Sequence, residues 1–254
     1  MDRFFEYILF SQEGAYTLHG SKPMTQIEVC LYSPQEIMAM REELGIEAND
    51  QNSSAIPVVD LGPFLDGWEK WQYLKNGTHF PRFILTSKQD QEYPKLYHMY
   101  LINVLEASLV ITENYPFFRT ALGFDFDPLE SILEVEEENS KFWETIFTRS
   151  DLIGILYGFG LRNSQCFSWM VGASSSEDLD IPDAFRGSLS RSSIFSSDGM
   201  FNGKESAKDL KIPTFRSFQD DDPFIQKYEE ERKKIQSLYF GKNAGMVAIE
   251  TLLK

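Results

Sequence analysis

Hydrophobic and polar positions follow two different periods along this chain, and the places where the period changes mark most of the elements it predicts. Apolar residues between Phe4 and Phe10 form a short helical patch. Residues 14–19 and 24–31 alternate with period two around Gly20, Ser21, Lys22 and Pro23, which predicts an N-terminal hairpin. Ser33, Pro34 and Glu36 then supply an N-cap, a first-turn proline and a carboxylate at the third helical position, and Gly45 supplies a stop, so a helix is expected over 34–44. Residues 56–61 and 82–86 read as short strands. Between them, Phe64, Trp68, Trp71 and Leu74 share one face of a helix that ends at Asn76 and Gly77, a spacing that makes the aromatic stripe a core face rather than a binding platform. Residues 94–112 read as one long helix near the centre of the fold, with Lys95, His98, Asn103, Glu106 and Glu113 as a narrow polar stripe.

Further along, Asp127, Pro128 and Glu130 open a helix that breaks in the acidic run 134–138 and resumes through Phe142, Trp143, Ile146 and Phe147. Ser150 or Asp151 is expected to cap the next segment, 149–170, where Gly154, Gly158 and Gly160 interrupt an apolar helical pattern. Glycine inside a helix costs about 1 kcal/mol relative to alanine, so these three need a packing partner or a ligand. Gly154 and Gly158, four apart on one helical face, point to a close helix–helix contact, with the apolar side of the 94–112 helix as a partner. Residues 172–204 hold nine Ser and four Gly and read as a mobile loop. A strand over 212–218, a helix from Asp222 and Pro223 to Phe240 with a stop at Gly241, and a short helix to Leu253 complete the chain. Many helices and a few short strands, without regular alternation, indicate a single α+β domain over 1–254, predominantly helical.

The 254 residues, 42% of them hydrophobic and 14% aromatic, can bury a substantial core. The balance of 24 Lys and Arg against 39 Asp and Glu, a net charge of -15, repels phosphate backbones and argues against nucleic acid as a partner. The densest basic cluster, Arg232 to Lys234, follows Glu229 to Glu231 and is neutralised at i,i+4 spacing. Two cysteines, Cys30 and Cys166, are too few for a disulfide framework. The N-terminus lacks the basic region and cleavage site of a signal peptide, and the longest apolar runs, 99–111 and 152–161, fall short of the roughly 20 residues of a membrane span. The chain therefore reads as soluble, either cytoplasmic or exported with its leader removed.

Candidate chemistry is sparse. Gly158-Phe159-Gly160-Leu161-Arg162-Asn163 matches two glycines of the dinucleotide fingerprint but places Asn163 at the third and follows a helical pattern, so no nucleotide cofactor is expected. Asp125, Asp127, Ile132 and Glu136 fall at calcium-loop spacing, but Leu129 and Glu130 stand where an oxygen ligand and a glycine belong. His19, His79 and His98 have no metal-ligand spacing, and no nucleophile or P-loop signature is present. What remains is a turn that could cradle a small anion or carboxylate: Gly158, Gly160, Arg162, Asn163 and Gln165, with His19 and Lys22 as further pocket residues.

Two blocks, Tyr16-Thr17-Leu18-His19-Gly20-Ser21-Lys22-Pro23 and the Asp151 to Phe167 region with Gly154, Tyr157-Gly158-Phe159-Gly160 and Asn163, resemble uncharacterised proteins of chlamydia-like and similar bacteria. That group carries no assigned activity, so the resemblance implies a bacterial origin and transfers no catalytic residue. If its members are exported or lipid-anchored, it also implies a leader missing from this chain. The expectation is a non-catalytic binding or protein-interaction domain, its partner a protein or a small molecule. The alternative is an enzyme of unrecognised family with a small-molecule pocket near residues 158–165.

Overall fold

A computed structural model describes residues 2–31, 35–36, 39, 62–76, 78, 80–90, 92–174, 188–189, 206–219 and 221–254. The expected strand over 56–61, His79, and most of the helix over 34–44 and of the loop over 172–204 lie outside the described residues. In the first half run α1 (Asp2–Glu6), a π-helical turn (Tyr7–Ser11), α2 (Gly14–His19), β1 (Met24–Cys30), α3 (Gly62–Lys75), β2 (Phe83–Gln89), β3 (Leu96–Asn103) and α4 (Val104–Glu113). In the second half run α5 (Tyr115–Leu122), α6 (Pro128–Leu133), α7 (Lys141–Thr148), α8 (Ser150–Leu156), α9 (Leu161–Ser174), β4 (Ser188–Leu189), β5 (Arg216–Ser217), α10 (Pro223–Tyr239) and α11 (Ala244–Leu252). The chain is an α+β fold, predominantly helical, around a small antiparallel sheet.

That sheet has the order β1-β3-β2, with Ile27 opposite Met99 and Leu85 opposite Leu101. Its central strand, β3, corrects the expectation of a single helix over 94–112. Met99 and Leu101 enter one apolar cluster while Tyr100 and Ile102 enter another on the opposite face. A strand buried on both faces reads as a nearly continuous apolar run and loses the alternation that would identify it. The helix begins only at Val104, where the side chain of buried Asn103 accepts the Glu106 N–H at 3.3 Å as an N-cap and donates to the Thr17 carbonyl at 3.2 Å.

The N-terminal hairpin is also corrected. Its second arm is β1, but Gly14–His19 is a short helix with Gly14 through Leu18 all buried. A helix buried all round shows no polar face, so its tyrosine, threonine and leucine pass for strand alternation. The first cluster gathers this helix with α1, α3, α10 and α11. Phe4, fully buried, packs with its ring centroid 5.1 Å from that of Phe64 in a tilted pair, while Phe5 meets Trp71 edge-on at 6.0 Å, which confirms the aromatic stripe of α3 as core. A Cβ at Gly67 would lie 2.3 Å from the Cβ of Phe4, so α1 crosses α3 at a distance only glycine permits.

The second cluster lies on the other face of the sheet, with Ile111, Phe118, Ile132, Trp143 and Ile155 at its centre. Its helices start where capping residues occur. Asp127 accepts the Glu130 N–H at 2.9 Å and Ser140 the Trp143 N–H at 3.4 Å, and a 3-10 turn, Glu134–Glu136, marks the acidic break. The cap expected from Ser150 or Asp151 does not form. The N-cap of α8 is Arg149, and the Asp151 carboxylate binds that arginine at 2.6 and 3.1 Å and the Leu152 N–H at 2.9 Å. The strand expected over 212–218 is reduced to Arg216–Ser217.

Candidate functional site

The glycine-marked segment is two helices and a turn. Gly154 lies within α8, where an added Cβ would approach Ser164 Oγ to 2.8 Å, so the close contact is with α9, the helix that follows. Gly158 is beyond the helix end, not on the face of Gly154. It and Gly160 have φ of +79° and +80°, the left-handed region that side chains resist. The space beside each is filled from elsewhere in the chain. A Cβ at Gly158 would stand 2.2 Å from Tyr228 Oη, and one at Gly160 would stand 2.3 Å from the Phe224 ring.

Around this turn the seven candidate binding residues separate. Asn163 is buried and bonded on both sides of its amide: it donates to Asp222 Oδ2 at 2.7 Å and to the Phe159 carbonyl at 3.0 Å, and it accepts from the Phe218 N–H at 3.2 Å. It thereby ties α9 to Asp222, the N-cap of α10. Arg162 and Gln165 face solvent on α9. His19, at the end of α2, sits 2.6 Å from Tyr239 Oη. Burial, with Lys254 and Arg82 nearby, pushes its pKa down to about 4, so it is neutral near pH 7.

Lys22 and Gly158 do come together. The Lys22 chain passes 3.5 Å from the position of a Gly158 Cβ, and its ammonium, 4% exposed as a residue, lies 3.6 Å from Glu13 Oε2. Burial lowers the Lys22 pKa and the Glu13 carboxylate opposes that shift. Glu13 holds φ at +64° and also receives the Thr214 N–H and hydroxyl at 3.4 and 3.3 Å. Tyr228 donates to the Gly158 carbonyl at 2.9 Å and meets Tyr16 edge-on at 5.4 Å. Glu231 lies against Gly20 and accepts the Ser21 N–H at 3.2 Å. Among the described residues, Tyr16 Oη, Ser21 Oγ and Glu231 Oε2 are buried with no hydrogen-bond partner. This junction locks the N-terminal segment to α10 and to the α8–α9 turn through polar contacts, and it holds the Lys22 ammonium out of solvent.

A different surface carries exposed apolar side chains. On α4, Val104, Ala107 and Ile111 are buried while Leu105 and Leu109 remain 59% and 53% exposed. On α6, which packs against α4, Ile132 is buried while Leu129 and Leu133 are 45% and 55% exposed. Single exposed leucines are ordinary, but here each of two adjoining helices carries a pair at i,i+4, an exposed apolar ridge on each. Sequence reasoning missed them because the 94–112 frame made Lys95, His98, Asn103, Glu106 and Glu113 the one polar stripe and counted Leu105 and Leu109 with the apolar remainder. The available signal was the repeat of Leu-x-x-x-Leu within acid-rich sequence.

Among the described residues no group of three or more His, Cys, Asp or Glu is placed to hold a metal ion, and no helix is long and apolar enough to cross a membrane. His98 lies on the sheet, where Asp90 Oδ2 at 2.9 Å and Gln26 Nε2 at 3.1 Å engage its two ring nitrogens. No family model, curated protein or solved structure matches the chain.

Proposed function

We propose that this protein is a non-catalytic interaction domain that binds another protein through the leucine face of α4 and α6. The observation that carries this reading is the half-exposure of Leu105, Leu109, Leu129 and Leu133 on two adjoining helices that bury Val104, Ala107 and Ile111 on one and Ser131 and Ile132 on the other. At the turn first considered for a ligand, Asn163 is committed to internal hydrogen bonds and the open sides of Gly158 and Gly160 are filled. An apolar face that stays in water in the isolated chain gains free energy when a partner covers it, at about 25 cal/mol per Å² removed from water.

The test is quantitative co-purification from cells of the source organism, comparing the native chain with a Leu109→Glu/Leu133→Glu variant. Both positions are exposed, so the variant should keep its stability to within about 0.5 kcal/mol. Loss of a recovered partner with the fold intact supports the reading. Recovery of the same proteins in the same amounts by both chains refutes it.

A further inference from the structure

We infer that the α4–α6 face docks a basic amphipathic helix of another protein, its leucines gripping the apolar side of that helix and the carboxylates around them meeting its lysines or arginines. This rests on the interaction-domain reading and adds the chemistry of the partner. The charge distribution carries it. Residues 104–140 contain nine of the chain's 39 acidic residues and one of its 24 basic ones, Arg119, so this stretch alone holds eight of the fifteen net negative charges. Arg119 is already bound to Asp125 at 2.6 Å, and Glu136 is bound to Lys75. Glu113, Glu130, Glu137 and Glu138 are exposed and have no ion pair with any described residue.

Placement joins the charges to the leucines. Leu105, Leu109 and Glu113 follow one another at intervals of four along α4, one ridge that begins apolar and ends in a carboxylate. On α6, Glu130 neighbours Leu129, and Glu137 and Glu138 follow Leu133 past the 3-10 turn. An apolar strip between unpaired carboxylates is complementary to a helix whose leucines recur at i, i+3, i+4 and i+7 beneath a basic face. A second copy of this chain fits poorly, because symmetric pairing would bring two such acidic faces together. The negative potential likewise opposes an anionic lipid surface.

The experiment uses the full chain and a fluorescent synthetic helix of about four turns, with leucines at i, i+3, i+4 and i+7 and lysine elsewhere. Three measurements accompany its anisotropy titration: an isomer with the leucines dispersed, a form with glutamate in place of lysine, and sedimentation of the chain alone. The expected result is saturable one-to-one binding that weakens at least about tenfold in Leu109→Glu/Leu133→Glu and in Glu113→Lys/Glu130→Lys, and that also weakens with salt. Absence of saturable binding overturns the inference. Equal binding to the leucine variant or of the dispersed isomer also overturns it, since bulk electrostatics alone would then suffice, as does tighter binding of the glutamate form or self-association lost in the leucine variant. Co-purification separates the two proposals. A native partner lost with the leucine variant but retained by Glu113→Lys/Glu130→Lys leaves the interaction domain standing and removes the basic helix, whereas a partner retained by both variants removes both.

Discussion

Replacing Gly160 by alanine measures whether the turn between α8 and α9 is packed or open. Two costs act at this position. The backbone sits at φ +80°, where an L side chain costs roughly 1–2 kcal/mol. The new methyl would also stand 2.3 Å from Cε2 and 2.5 Å from Cζ of Phe224, so the ring must move, and overpacking of this kind costs about 1–3 kcal/mol. Gly123 provides the control, because its φ is +79° and no described residue lies within 4 Å of a Cβ built there. Gly123→Ala should therefore cost about 1 kcal/mol and Gly160→Ala about 3 kcal/mol. For a chain of this size that is a fall in melting temperature of roughly 2–4 °C against about 6–12 °C. Urea unfolding of the two variants gives the difference directly, and the double variant Gly160→Ala/Phe224→Ala should recover the packing part as a coupling energy. If the two glycine variants lose the same stability to within about 0.5 kcal/mol, Phe224 does not fill the turn and the small-ligand cradle regains its case.

Two further outcomes probe the polar junction. His19 has a folded pKa of about 4 against an ordinary 6.5, so between these pH values the unfolded chain takes up a proton that the folded chain refuses. Stability should thus fall as pH drops from 6.5 towards 4, by at most about 3 kcal/mol from this group, and the fall should be shallower in His19→Gln; unfolding curves for both proteins across that window check it, and identical slopes contradict it. Tyr16→Phe removes a buried hydroxyl that has no partner among the described residues, so stability should be unchanged or slightly raised. A loss above about 1.5 kcal/mol on denaturant unfolding would show that the hydroxyl binds something, and would turn attention to a small polar ligand beside Lys22 and Gly158.

The elements most legible in the sequence are those whose signals are local. Asp127 and Asp222 each cap the helix that follows them, because a short polar side chain before an apolar run satisfies the first free N–H groups without help from the rest of the fold. The aromatic face of α3 was likewise readable, since Phe64, Trp68 and Trp71 recur at the helical period and one side of that helix stays wet. The predominantly helical α+β class followed from these local patterns.

Tertiary structure alone decided the rest. Residues 96–103 are a strand, not a helix, because two clusters lie on opposite faces of it, and the six residues of α2 form a helix because core surrounds them on every side. A segment buried all round carries no periodic contrast, so its conformation depends on neighbours far away in the chain. The candidate binding residues show the same limit. Their types suggested a cradle, but Tyr228 and Phe224 arrive from α10 to fill the turn, and Asp222 claims Asn163. The leucines of α4 and α6 stay exposed for an equally nonlocal reason: which side of a mostly apolar helix meets water is settled by where the sheet and the other helices lie.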